Sequence, residues 1–297
     1  MKKSGADASK RMMLALLVLM TVANPGEGGR SAPQNEALSR RAPCEGLDVL
    51  GRRTVSLPFP VGEELGYRLT FAGAYVGKFE TKVGEHRIVE GRQVLPIFGR
   101  ARTNALVASF KPFKGRYMTM IEEAPFRPVA LRTEVTYGED PRWERVDFSE
   151  DRRRIDAEFR TMGRELERHY ATDHAATDIL ALMFWARILE MNAGSVACQD
   201  VFSARRLWRM TGRVRPISTV RTAAGKRKAH RVDLHFVRKP TPGLRRRNPP
   251  SYDFTVYVSA DEWQTPLKFV FMLDGVAAEG HLEHWSFKST KRWSEEG

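Results

Sequence analysis

Cysteine is nearly absent from this 297-residue chain, which carries two, so neither a dense disulfide framework nor a cysteine-rich zinc site organises it. Long apolar runs are missing too: the stretch 12–23 has 12 residues, against the roughly 20 that a membrane-spanning helix needs. No Gly-x-Ser-x-Gly elbow, His-Glu-x-x-His helix or glycine-rich phosphate loop occurs, which removes the common signatures of hydrolases, metalloproteases and nucleotide-binding enzymes. A triad assembled in space leaves no such signature, so a hydrolase stays as a rival reading. The seven histidines lack ligand spacing: His281 and His284, three apart in a strand, point to opposite faces, as do His230 and His235. His169, Asp173 and His174 have no further spaced ligand. No catalytic residue, metal site or cofactor is therefore expected. Internal repeats, which would mark a solenoid or propeller, are absent as well.

What is present is a globular composition with a basic excess. Hydrophobic residues make up 42% of the chain, and 49 Lys and Arg against 36 Asp and Glu give a formal charge of +13. Lys2, Lys3, Lys10 and Arg11 precede the short apolar run, which breaks at Asn24-Pro25-Gly26. Residues 1–23 read as a secretory signal peptide, leaving no membrane span in the mature chain and placing the protein in the periplasm or otherwise outside the bacterial cytoplasm. Its removal leaves a charge of +10, so the basic character belongs to the folded part. Residues 24–56, rich in Gly, Pro and charge, form a flexible lead-in to a single domain over 57–290.

That domain reads as mainly β. Leu65, Tyr67, Leu69 and Phe71 alternate with polar residues, and after Ala72-Gly73-Ala74 a second alternation runs from Tyr75 to Val83, as in a hairpin. Similar segments recur at 93–99, 116–122, 129–137, 142–148, 153–160, 205–215, 229–238, 252–259, 266–273 and 276–287. So many short strands imply a curved antiparallel sheet closing toward a barrel or sandwich. One segment differs. Between Asp173 and Met191 an apolar run broken only by Arg187 and Glu190 favours a helix, N-capped by Asp173 or Thr177 and packed on or inside the sheet. Either it plugs the core, or Leu182, Phe184 and Trp185 line an apolar ligand cavity.

Two further features bear on function. In an exported chain the even cysteine count favours a Cys44–Cys198 bridge, closing a loop of about 155 residues that the chain-entropy argument values at on the order of 5 kcal/mol. Lys226, Arg227 and Lys228, together with Arg245, Arg246 and Arg247 in a proline-rich connection, form basic clusters. Export makes nucleic acid an improbable partner for them and leaves anionic envelope polymers.

The stretch Pro60-Val61-Gly62-Glu63-Glu64-Leu65-Gly66-Tyr67, followed by Gly73-Ala74-Tyr75-Val76-Gly77, resembles the opening of exported bacterial proteins in the family called domain of unknown function 3108. Thr177-Asp178 before an apolar helix ending near Arg187, Gly194, and Val258-Ser259-Ala260-Asp261 before Pro266-Leu267 extend the similarity over roughly 57–287. Trp263 and Gln264 depart from the charged turn expected there. The resemblance implies a periplasmic antiparallel protein with one internal helix and implies no reaction. The leading expectation is an envelope protein without enzymatic activity, a scaffold or a binder of a lipid-like apolar ligand. The alternatives are a basic module for anionic glycan or lipopolysaccharide, and a hydrolase.

Overall fold

A computed structural model describes residues 59–287 apart from 125, 224, 241–248 and 274. The signal segment 1–23, the lead-in 24–56, Cys44 and Arg245, Arg246 and Arg247 lie outside the described residues. An N-terminal meander comprises β1 (Glu63–Phe71), β2 (Ala74–Val83), the short β3 (Arg87–Val89), β4 (Arg92–Thr103), a one-turn helix α1 (Ala105–Ala108), and then β5 (Phe113–Glu122), β6 (Arg127–Tyr137), β7 (Asp140–Phe148), β8 (Arg154–Thr161) and β9 (Arg164–Ala171). The chain then crosses through β10 (Ala176–Asp178), helix α2 (Ile179–Trp185) and a 3-10 turn (Ala186–Ile188). A C-terminal meander follows: β11 (Val196–Ser203), β12 (Arg206–Val214), β13 (Ser218–Thr222), β14 (Gly225–Arg238), β15 (Ser251–Ser259), β16 (Pro266–Leu273) and β17 (Val276–Phe287).

All 17 strands belong to one sheet, antiparallel except where β10 runs parallel to β11. β1 joins the two meanders, pairing with β2 on one side and β17 on the other. The sheet curls without closing its ladder. Its two end strands, β9 and β10, meet through a buried cluster in which Val146, Phe148 and Ile155 pack with Phe202 and Leu207. A backbone bond from Ala176 to Arg152 O at 2.9 Å reinforces that seam, as does the Tyr170 hydroxyl on Arg205 O at 2.8 Å. The expected mainly-β, barrel-like class is what the chain forms. Among the described residues no helix is long and apolar enough to cross a membrane.

The family-like opening motif is an inward-facing row. Glu63, Leu65 and Tyr67, two residues apart on β1, are each 2% exposed or less. The Tyr67 hydroxyl donates to Pro266 O at 2.9 Å, and its ring lies 5.3 Å from Phe269. Phe269 in turn packs over Gly280, where a Cβ would stand 2.0 Å from the ring. Only glycine leaves that aromatic its place.

The helix is shorter than the spacing predicts. Residues 176–178 pair with β11, and the N-cap is Asp178, not Asp173 or Thr177: its Oδ1 accepts from Leu180 N and Ala181 N, both at 2.9 Å. Asp178 Oδ2 accepts from the Thr119 hydroxyl of β5 at 2.7 Å. At the other end Leu189 turns extended, and Arg187 reaches back to the Glu63 carboxylate with both Nη groups while its Nε donates to Trp263 O at 3.1 Å. Both ends of α2 are thus pinned by buried polar contacts to the N-terminal meander.

Candidate functional site

Pinning decides which side of α2 is packed and which is open. Leu180, Ala181 and Phe184 pack into the main core, where the Phe184 ring lies 5.0 Å from Phe59 and 5.7 Å from the Arg187 guanidinium carbon. The opposite side faces the inner surfaces of β11, β12 and β14–β16 across a cavity of about 120 Å³. Leu182 and Trp185 line it together with Met210, Leu234, Phe254 and Phe271. Phe184, expected beside them, is buried at 1% exposure in the other direction. Leu182 and Trp185, three apart, share one side of the helix and Phe184 points away from it, beside the Glu63–Arg187 anchor that holds the helix end.

β15 shows that this space is open. Although flanked by β14 and β16, none of its residues from Ser251 to Tyr257 is buried, on either face. Tyr252, Phe254 and Val256 present half-buried apolar side chains to the cavity, while Asp253, Thr255 and Tyr257 occupy the outer face. A central strand with both faces partly accessible is one whose inner surface its neighbours cover incompletely: Tyr252 and Phe254 both touch the Phe271 ring, yet neither is buried.

The polar anchors at the helix ends hold the helix that borders this site and are not themselves part of its lining. Arg187 and Glu63 are fully buried, and Glu63 also accepts from the Trp285 indole at 3.0 Å. The three donor groups leave the carboxylate satisfied, the condition under which a buried ion pair is tolerated. Burial pushes the Asp178 carboxyl up to about 6, against the opposing hydrogen bonds from Ala181 N, the Thr119 hydroxyl and Leu180 N. Arg187 was legible only as an interruption of the apolar run. The signal that could have paired it was the family-like motif, which contains Glu63 and places Arg187 at the helix end.

Other expected residues fall elsewhere. Lys226, Arg227 and Lys228 are exposed at the start of β14, opposite β13. Cys198 sits half-buried on β11, no free cysteine occurs among the described residues, and its expected partner Cys44 lies outside them. His235 Nδ1 lies 2.7 Å from Asp253 with its Nε2 buried and unpartnered, a dyad on the outer face away from the cavity lining. Asp200, wholly buried at the seam, accepts from Arg209 Nε at 2.5 Å and Lys239 Nζ at 3.0 Å. Among the described residues no group of three or more His, Cys, Asp or Glu comes together as a metal site.

A family model described as protein of unknown function (DUF3108) matches residues 66–277. The chain belongs to that family. This DUF3108 protein shares its fold with a beta-barrel-like protein of domain of unknown function DUF1849 from Brucella abortus, at 10% identity over 80% of this chain and 100% of the other, with a TM-score of 0.54. A candidate exported protein with YmcC-like fold from Bacteroides fragilis aligns more loosely, at 9% identity over 77% and 98% of the two chains, TM-score 0.36. No curated protein matches the sequence.

Proposed function

We propose that the protein is an exported, non-enzymatic binding protein that holds a small apolar group between α2 and the C-terminal meander. The observation that carries this is the half-open inner face of β15, whose Tyr252, Phe254 and Val256 side chains are only partly covered by their neighbours and border the cavity. The size limits the ligand. A cavity of about 120 Å³ is comparable to an engineered cavity of about 150 Å³ that takes benzene, and falls below the roughly 300–1,000 Å³ of sites that enclose drug-sized molecules. A single aromatic ring or the end of an alkyl chain fits, and a whole lipid does not.

Benzene and toluene should raise the thermal midpoint in proportion to occupancy. Val256→Phe, which fills the space from β15, should abolish that rise while keeping the protein folded. A wild-type midpoint indifferent to both compounds would remove the binding reading and favour a solid scaffold.

Export rests on residues 1–23, and the Cys44–Cys198 bridge follows from it. Mass spectrometry of the protein recovered from the envelope should find a chain beginning near Asn24 and resistant to alkylation at Cys44 and Cys198 under denaturing, non-reducing conditions. Recovery of intact Met1, or of both thiols alkylated, would count against it.

A further inference from the structure

A second concavity lies on the outer face of the same strands, back to back with the apolar cavity. The β13–β14 hairpin does not continue the barrel wall: β13 touches β16 and β17, so it folds across the outside of the sheet. Val220 and Ala229, at 8% and 0% exposure, are the apolar residues that seat it. Beneath it runs a groove of about 660 Å³. Four cations line it, Arg215, Arg221, Arg231 and Lys268, against one carboxylate, Asp233.

The arrangement of that carboxylate is informative. Arg215 Nε donates to Asp233 Oδ2 at 2.7 Å and Arg231 Nε to Oδ1 at 2.8 Å, with the Thr255 hydroxyl on Oδ1 at 3.2 Å. Burial raises the Asp233 pKa, but the two arginine hydrogen bonds outweigh it and hold the carboxyl below the usual range, so it stays charged. Each guanidinium is therefore oriented through Nε, and among the described residues its two Nη groups have no hydrogen-bond acceptor. Arg221 forms no ion pair among the described residues, and Lys268 is shared with Glu279 at 2.9 Å. Two oriented guanidinium forks beside an unpaired third suit a tetrahedral oxyanion, because each fork donates two parallel hydrogen bonds.

We infer that this groove is a binding site for phosphoryl groups, carried by a lipid headgroup or free in solution. The site is independent of the apolar cavity, since it is built from the opposite faces of β14–β16. Lys226 and Lys228 stand opposite Arg221 and Thr219 on the hairpin and add charge at the groove's rim.

Titration of the full chain with pyrophosphate at low ionic strength, where screening is weakest, tests the free form. Sedimentation with phosphatidylcholine vesicles, with and without phosphatidic acid, tests the headgroup form. Saturable binding in either arm, weakened about tenfold by Arg221→Ala, supports the inference and identifies the source. Arg221 is exposed and unpaired, so its loss leaves the fold intact. The double variant Arg160→Ala/Arg164→Ala removes exposed charge from the distant β8–β9 hairpin and should change the affinity far less. Binding in neither arm, or equal loss in that control, would overturn the site.

Discussion

β5 and β15 are both central strands of one sheet, yet their inner faces meet different fates. On β5, Phe113, Gly115, Tyr117, Thr119 and Ile121 are all buried, in strict alternation with more accessible residues. On β15, Tyr252, Phe254 and Val256 stay half-open. Both rows carry aromatic and aliphatic side chains, but the β5 row also holds Gly115 and Thr119, the latter donating to Asp178 at the helix start. What differs is the distance to α2. Asp178 ties the helix start to β5 and Arg187 ties its end to β1, so the seven-residue helix leans on the N-terminal meander and fills the space before the C-terminal one only in part, through Leu182 on Val201, Trp208, Met210 and Phe236. A cavity in a barrel-like fold can thus be made by off-centre anchoring of its plug.

The largest effect should come from cutting an anchor. Arg187→Ala strands the Glu63 carboxylate in the core, and loss of one partner of a buried pair costs about 3–5 kcal/mol, readable from the denaturant midpoint. Combining Glu63→Gln with Arg187→Met should recover most of that stability. A double variant as unstable as the single would mean that the pair does not fix the helix.

Next come the two sides of the helix itself. Phe184→Ala opens a void against Phe59 and should cost about 3–5 kcal/mol. Trp185→Ala removes a ring that borders existing space, loses fewer packed neighbours, and should cost clearly less despite the larger side chain. Equal losses in the two variants would break the comparison between the packed and open sides.

The smallest expected effect is a pH dependence at the other anchor. The Asp178 carboxyl is raised in the folded state to about 6, from an ordinary 3.8. The folded protein therefore binds more protons than the unfolded chain between about pH 4 and 6, so this group's contribution falls as pH rises through that window and is level above it. The shift of roughly two pH units corresponds to about 3 kcal/mol at most. Asp178→Asn keeps the capping oxygen and cannot ionise, so its stability relative to wild type should climb from pH 4 to pH 7. A difference that is flat with pH would show that Asp178 is not strained by burial.

The alternation of β1, β2 and β4–β8 was plain in the sequence because one face of each is covered, and period two records that directly. β9 was not: Arg164 to His169 are all exposed, and a strand with no buried face leaves no apolar row to read. The helix was legible as an apolar run, but its start was misplaced, because pairing of residues 176–178 with β11 is a contact between segments distant in the chain. The cavity residues divide in the same way. Leu182 and Trp185 were recognisable as apolar and helical, while Phe184 points away from them beside an ion pair whose members lie 124 residues apart in sequence.

By itself the sequence determined the class of fold, the family, and the presence of one apolar helix among antiparallel strands, since each is written in local periodicity and short motifs. Tertiary structure alone decided that the two ends of the barrel-like sheet meet, that Glu63 holds Arg187, and that four scattered cations share one groove. Those outcomes depend on which residues meet across the curled sheet, and a linear spacing carries no record of a contact made through space.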